Sequence, residues 1–86
     1  MATLVQQVSC IPEVEYIFLL EEDTAFGIWT IIDVLDRDVR RRIYEKEAML
    51  IDAFPGIPFD FHVVARENRN VEVVAPSGGT LIFSRS

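Results

Sequence analysis

The sequence predicts an α+β fold with a mixed sheet of four or five strands, one long helix and a short N-terminal helix. Residues 14–21 and 26–34 are apolar on both alternating faces, which is typical of central strands. A helical period of apolar residues over 37–54 separates them from a third strand-like segment, 59–65. Eighty-six residues suit one domain, so we expect residues 1–86 to form a single unit.

The N-terminal part is predicted to form a short helix followed by a β-hairpin. Apolar residues recur at helical spacing over residues 3–9, and Pro12 ends that segment. Residues 22–24 are polar and form a turn between the first two strands. Because this connection is so short, we expect the two strands to pair antiparallel.

The long helix is expected to begin at Asp36 or Asp38, whose carboxylate suits the helix dipole, and to end before Pro55. Glu47 falls inside the apolar arc of this helix. It is either a site residue or a member of a structural ion pair with Arg40, and the ion pair is the favoured interpretation because burying a lone carboxylate is costly. The arc itself is formed by Val39, Ile43, Leu50 and Phe54, flanked by Tyr44 and Ile51.

The C-terminal part is predicted to form a second hairpin. Residues 67–70 make a turn in which both asparagines tolerate a left-handed backbone, and residues 71–75 follow as a strand. Residues 80–84 form a short fifth strand or an ordered tail. The long helix links the second and third strands as a crossover, so those two strands should run parallel.

Charge and apolar content narrow the range of partners. The net charge is −6, and residues 1–36 contain seven acids but no lysine or arginine. This balance repels phosphate backbones and argues against binding to nucleic acid or to an anionic membrane. Half of the residues are hydrophobic, and one long helix covers only one face of the sheet. We therefore predict a homodimer or a complex with a small protein that covers the apolar sheet face.

The cysteine content and the N-terminal segment predict the cellular location of the chain. Cys10 is the only cysteine, so no internal disulfide forms, and a reduced cytoplasmic setting is the simplest interpretation. The N-terminal segment has no basic residue of the kind that opens a signal peptide. Its longest apolar run is far shorter than the ~20 residues of a membrane span. We therefore predict a cytoplasmic protein without membrane contact.

Acidic side chains are predicted to gather at one edge of the sheet. The first strand ends where the parallel second and third strands begin, which brings Glu21, Glu22 and Asp23 toward Asp60 and His62. Such a cluster of oxygen ligands suits a divalent cation such as Mg²⁺. The alternative is that the hairpin acids are only solvated. Asp60 and His62 share a face and form either a structural hydrogen-bonded pair or a general base oriented by a carboxylate.

The order of elements resembles the minimal nucleotidyltransferase core over residues 3–65, from Pro12-Glu13-Val14 to Phe59-Asp60-Phe61-His62. Active members of that family carry Gly-Ser after the first strand, Asp-x-Asp at the start of the second, and a third Asp on the strand after the helix. The resemblance implies that those three acids hold two magnesium ions carrying a nucleotide triphosphate. Only Asp60 matches this pattern.

The other two motifs of that family are missing. Leu20-Glu21-Glu22 stands in place of Gly-Ser, and Gly27-Ile28-Trp29 stands in place of Asp-x-Asp. Metal-dependent phosphoryl transfer without its paired carboxylates loses most of its catalysis. The resemblance therefore implies a degenerate, non-catalytic relative, in which Glu22 or Asp23 is a substitute ligand at most.

Three hypotheses follow from these patterns. The first is a small non-catalytic interaction or regulatory module that homodimerises or docks through an apolar sheet face. The second is a metal- or nucleotide-binding remnant that uses Asp60 with Glu21 or Glu22. The third is an enzyme built around Asp60 and His62, which is disfavoured because no nucleophile or oxyanion-hole motif accompanies the pair.

Overall fold

A computed structural model describes residues 2–85 of the chain. It has the predicted α+β architecture, with three helices and a four-stranded mixed sheet. In chain order, the elements are α1 (Ala2–Ser9), β1 (Val14–Glu21), β2 (Phe26–Ile32), α2 (Arg37–Ala53), β3 (Phe59–Ala65), α3 (Val71–Val74) and β4 (Thr80–Ser84).

The sheet has the strand order β3-β2-β1-β4. The hairpin of β1 and β2 is antiparallel, and β4 also pairs antiparallel with β1. The crossover through α2 makes β2 and β3 parallel, with Phe26 beside Phe59 and Ile32 beside Ala65. The predicted pairing of the first three strands is therefore confirmed.

Helices α1 and α2 pack against one face of the sheet, where the core lies. Helix α2 begins at Asp36, whose Oδ1 accepts hydrogen bonds from the N–H groups of Asp38 and Val39 at 2.8 and 3.1 Å. These bonds satisfy donors that the first turn of a helix leaves unpaired. The buried core contains apolar residues from both helices, both central strands and the connection between α1 and β1: Val8, Ile11, Val14, Ile17, Ile28, Ile32, Val39, Ile43 and Leu50.

The predicted strand over residues 71–75 is wrong, because this segment forms the short helix α3. Asn70 has an extended backbone, and its side chain accepts a hydrogen bond from the N–H of Glu72 at 3.0 Å. That contact caps a helical turn in place of the left-handed conformation expected at Asn70. Asn68, the other asparagine of this turn, has the expected positive φ, and Glu67 also has positive φ. The predicted second hairpin is therefore absent from residues 2–85.

The segment between β3 and β4 crosses the sheet, since these strands lie at opposite edges. A right-handed crossover places it on the face away from α2. The position of Gly78 agrees with this placement, because Gly78 lies close to the side chain of Leu20. A Cβ at position 78 would be 3.9 Å from the Leu20 Cδ1. Ile31 on the same face is fully buried. The face that we expected to be open is therefore partly covered by the chain itself.

Within the part of the chain that the structure describes, no helix has the length and apolar character needed to cross a membrane.

Candidate functional site

The candidate site lies where β1 ends and where β2 and β3 begin. Asp60 and His62 are on β3, and the parallel register places them beside Gly27 and Trp29 of β2. Their side chains occupy the face away from α2, because residues two apart on a strand point to the same side. The sequence therefore correctly predicted that Asp60 and His62 share a face near the β1–β2 turn.

Glu22 joins this pair because Gly27 has no side chain. A Cβ at position 27 would be only 2.7 Å from the Glu22 Oε1 and 3.3 Å from the Leu20 carbonyl oxygen. The carboxylate of Glu22 thus lies in the space that a larger residue would fill. Ligand atoms of Glu22, Asp60 and His62 all lie within 4.8 Å of one another.

Glu21 does not belong to this group. It is opposite Phe26 in the β1–β2 pair, and Phe26 is beside Phe59 in the parallel pair. These residues share the face that carries the helices, whereas Asp60 points to the other face. Of the two glutamates proposed as ligands from the sequence, the structure brings Glu22 to Asp60.

A hydrogen bond and a ring stack fix the orientation of His62. Its Nε2 is 3.0 Å from the Asp60 Oδ2, and its ring stacks on Trp29 with a centroid separation of 4.5 Å. The side chains of His62 and Asp60 are both accessible to solvent, with 37% and 48% of their surface exposed. Within residues 2–85, no hydroxyl or thiol hydrogen-bonds to His62, so the pair has no nucleophile to activate.

The electrostatic environment of the three residues is negative. Neither Glu22 nor Asp60 forms an ion pair with a lysine or arginine of the described chain, and Asp60 is hydrogen-bonded to His62. Carboxylates and imidazole are both established metal ligands. The arrangement therefore offers three donors to a divalent cation, at an accessible sheet edge.

Glu47 is a second unusual carboxylate, located on α2. It is only 5% exposed, and its Oε2 has no hydrogen-bond partner in residues 2–85. Burial raises the pKa of Glu47 to about 7. The predicted ion pair with Arg40 is wrong, because the guanidinium of Arg40 lies over the ring of Tyr44, 5.8 Å from its centroid. Glu47 therefore keeps the desolvation cost that a salt bridge would have offset.

At the other end of the sheet, an acidic cleft of about 300 Å³ opens between the start of β1 and the loop before α2. Glu15 in its lining pairs with Arg66 at 2.5 Å, and Glu13 pairs with Arg42 at 2.9 Å. No local sequence pattern predicts this cleft, since its lining residues are distant along the chain. Arginines pair with Glu13, Glu15 and Asp33, and Asp36 caps α2, so these acids have structural roles.

Comparison with known proteins leaves the site defined by its geometry alone. No protein-family model, curated protein or solved structure matches the chain. The nucleotidyltransferase resemblance therefore stays a prediction, and Asp60 is the residue on which it depends.

Proposed function

We propose that this protein is a small, non-catalytic interaction module that homodimerises. The observation that supports this proposal is the concentration of exposed apolar side chains on and around α2. Six large apolar residues with at least 39% exposure lie within positions 34–57: Val34, Leu35, Tyr44, Ile51, Phe54 and Ile57. Met49 is also exposed but lies on the flank of α2 that faces Gln7 of α1. Clustered apolar surface of this kind is characteristic of protein contact sites.

The location of these residues revises the docking surface expected from the sequence. The sheet face away from α2 is partly covered by the segment that leads to β4. The exposed apolar residues belong mainly to α2 and its flanking loops, with Tyr44 48% exposed and Ile51 51% exposed. Burying them against a second copy would remove apolar area from water, which is the main favourable term in association.

The absence of catalysis is part of the same proposal. Asp60 and His62 form a hydrogen-bonded pair without an adjoining nucleophile in residues 2–85. Gly27 and Trp29 occupy the positions where a nucleotidyltransferase carries its paired aspartates, and phosphoryl transfer depends on those metal-binding acids. A degenerate nucleotidyltransferase-like core that acts through contact is compatible with both features.

Sedimentation equilibrium over a range of protein concentrations tests the proposal. We expect the weight-average mass to rise from that of one chain toward that of two as the concentration increases. High salt should leave most of the association intact, because the surface is chiefly apolar. A mass that stays at one chain up to about millimolar protein, a typical weak-binding limit, would contradict the proposal.

A second candidate function is binding of a divalent cation by Glu22, Asp60 and His62, and the observation that favours it is their close approach over Gly27. Ligands of a cation at ~2.1 Å stand about 3–4 Å apart, which is close to the spacing of these donors. An imidazole ligand favours Zn²⁺ or another transition metal over the Mg²⁺ expected from the sequence.

Thermal unfolding with Mg²⁺, Mn²⁺ or Zn²⁺ tests this second candidate. A cation at 100 times its dissociation constant adds about 2.7 kcal/mol of stability, which corresponds to roughly 10–20 °C in Tm for a domain of this size. Asp60→Asn should abolish the response, whereas Asp23→Asn, which changes an exposed acid of the same turn, should preserve it. ATP added with Mg²⁺ tests nucleotide binding. A flat Tm up to millimolar metal, or an equal response in Asp60→Asn, would exclude the site.

A further inference from the structure

The outer edge of β3 carries unpaired backbone groups. The N–H of Phe26 donates to the Pro58 carbonyl and the N–H of Arg66 donates to the Ile32 carbonyl, both at 2.8 Å. Backbone groups alternate in direction along a strand, so the even-numbered residues of β3 bond to β2. The N–H and C=O groups of Phe59, Phe61 and Val63 consequently point outward, and no hydrogen bond to them occurs within residues 2–85.

The two edges of the sheet differ in how well they are protected. The β4 edge is five residues long, and its pairing with β1 contains a register shift. The β3 edge is seven residues long and regular, without any lysine or arginine. Pro58 precedes β3, but its nitrogen, which carries no hydrogen, faces β2. It therefore does not interrupt the outer edge. Short length, irregularity and basic residues are the usual barriers to edge pairing, and β3 lacks all of them.

Apolar side chains lie beside this edge on the face that carries α2. Phe59 and Phe61 stack with their ring centroids 5.3 Å apart and are only partly buried. Helix α2 contacts α1 through one flank, as the approach of Lys46 to Gln7 shows. Tyr44 and Ile51 lie on its other flank, about 160° and 140° from Lys46 at ~100° per residue. Because α1 contacts β1 and β4 whereas α2 contacts β3, this flank of α2 lies on the same side of the domain as the outer edge of β3.

Apart from Asp36 and Asp38 at its start, which suit the helix dipole, the charges of α2 run against that dipole. Its first half carries Arg37 and Arg40, neither of which forms an ion pair with a described residue, and its second half carries acids that include Asp52. No basic residue lies in the last turn. The helix dipole disfavours cations at the N-terminus and anions at the C-terminus. If a second α2 helix lay antiparallel to the first, the basic first half of each helix would lie beside the acidic second half of the other.

We propose that β3 pairs antiparallel with β3 of a second copy, which joins two four-stranded sheets into one of eight strands and places the two α2 helices antiparallel. This inference rests on the proposed homodimer and specifies its geometry. A two-fold axis makes such a contact self-complementary. The seven residues of β3 span about 23 Å and α2 spans about 25 Å, so strand and helix contribute over the same length. Full pairing of Phe59–Ala65 places the axis at His62.

A matched pair of substitutions on α2 tests the helix contact. Ile51 and Met49 are equally exposed, at 51% and 52%, but lie on opposite flanks of the helix. We expect Ile51→Lys to raise the dimer dissociation constant at least about tenfold, as loss of a central apolar contact does. Met49→Lys should change it less than about threefold. Equal effects, or a larger effect from Met49→Lys, would overturn the proposed geometry.

Disulfide trapping tests the strand contact. In a Cys10→Ser background, His62→Cys should form a covalent dimer under mild oxidation, because cross-strand neighbours bring Cα atoms to about 4.5–5.5 Å. Thr80→Cys on the β4 edge is the control and should form no covalent dimer. A wild-type dimer without His62→Cys trapping would refute the β3 pairing but leave the homodimer proposal in place. A wild-type chain that is monomeric at all concentrations would refute both.

Discussion

Replacement of Glu47 by glutamine should stabilise the fold at neutral pH and leave its stability nearly unchanged at low pH. Burial raises the pKa of Glu47 from its ordinary value of 4.5 to about 7 in the folded chain. Below pH 4.5 the carboxyl group is protonated in both folded and unfolded states, so it imposes no charge penalty. Between the two pKa values the unfolded chain releases the proton while the folded chain retains it, and the free energy of unfolding falls as pH rises.

The size of this effect follows from the difference between the two pKa values. That difference is about 2.5, and at ~1.4 kcal/mol for each pH unit the cost of the charged form is at most about 3 kcal/mol. Above pH 7 the full cost is present, and the free energy of unfolding no longer varies with pH because of this group. Glutamine removes the charge but keeps the shape, so Glu47→Gln should gain about 1–3 kcal/mol over the wild type at pH 8.

Urea denaturation followed by far-UV circular dichroism at pH 4, 5, 6, 7 and 8 measures this gain. The quantity of interest is the difference between variant and wild type at each pH, since it cancels contributions from all other acids. Protein concentration must be held constant because dimerisation adds to apparent stability. Glu45→Gln is the control, because Glu45 is on the same helix with 61% of its side chain exposed. Its difference should stay within about 0.5 kcal/mol.

A difference between Glu47→Gln and wild type that does not vary with pH would refute this reasoning. It would mean that Glu47 ionises in the folded chain as readily as in the unfolded chain. A variant that is less stable at pH 8 would also refute it, because the charged form would then contribute favourably through a partner.

Three other substitutions test separate contacts. Asp36→Ala removes the N-cap of α2, and the free energy of unfolding should fall by about 1 kcal/mol in urea titrations; an unchanged midpoint would contradict this role. Thr30→Val replaces a fully buried hydroxyl that has no hydrogen-bond partner in the described chain. Tm should rise by several degrees, which corresponds to roughly 1 kcal/mol of stability; a lower Tm would indicate that the hydroxyl forms a hydrogen bond. Arg85→Ala removes donors to three carbonyls before and within β1, so amide exchange in β4 should accelerate about tenfold or more, and unchanged exchange would show that the tail is held otherwise.

Local sequence patterns determine much of the fold. The apolar residues of β1 and β2 on both faces require cover on both sides, so both are central strands. The spacing of Val39, Ile43 and Leu50 is compatible only with a helix. Once α2 is a crossover, the direction of β3 is determined, and with it the position of Asp60 next to β2.

Other features depend on contacts that the local sequence does not encode. The segment 71–75 is too short and too apolar for its hydrophobic period to distinguish a strand from a helix. The Asn70 side chain accepts one hydrogen bond from the N–H of Glu72, and this contact favours the helix. The choice between Glu21 and Glu22 depends on which residue is the last to pair across the hairpin. A shift of one residue there exchanges the faces on which the two carboxylates lie. The isolation of Glu47 results from the direction that Arg40 takes toward Tyr44.

Strand β3 connects the two proposed functions, and its alternation makes them separable. Phe59, Phe61 and Val63 direct backbone groups to the outer edge and side chains toward α2, whereas Asp60 and His62 direct side chains to the opposite face. A cation bound at the even positions would therefore contact no apolar side chain of the proposed dimer surface. It follows that Asp60→Asn should remove a metal response without monomerising the protein, and that Ile51→Lys should do the reverse. A single variant that loses both properties would show that the two surfaces are coupled through His62, which belongs to the metal group and lies at the proposed two-fold axis.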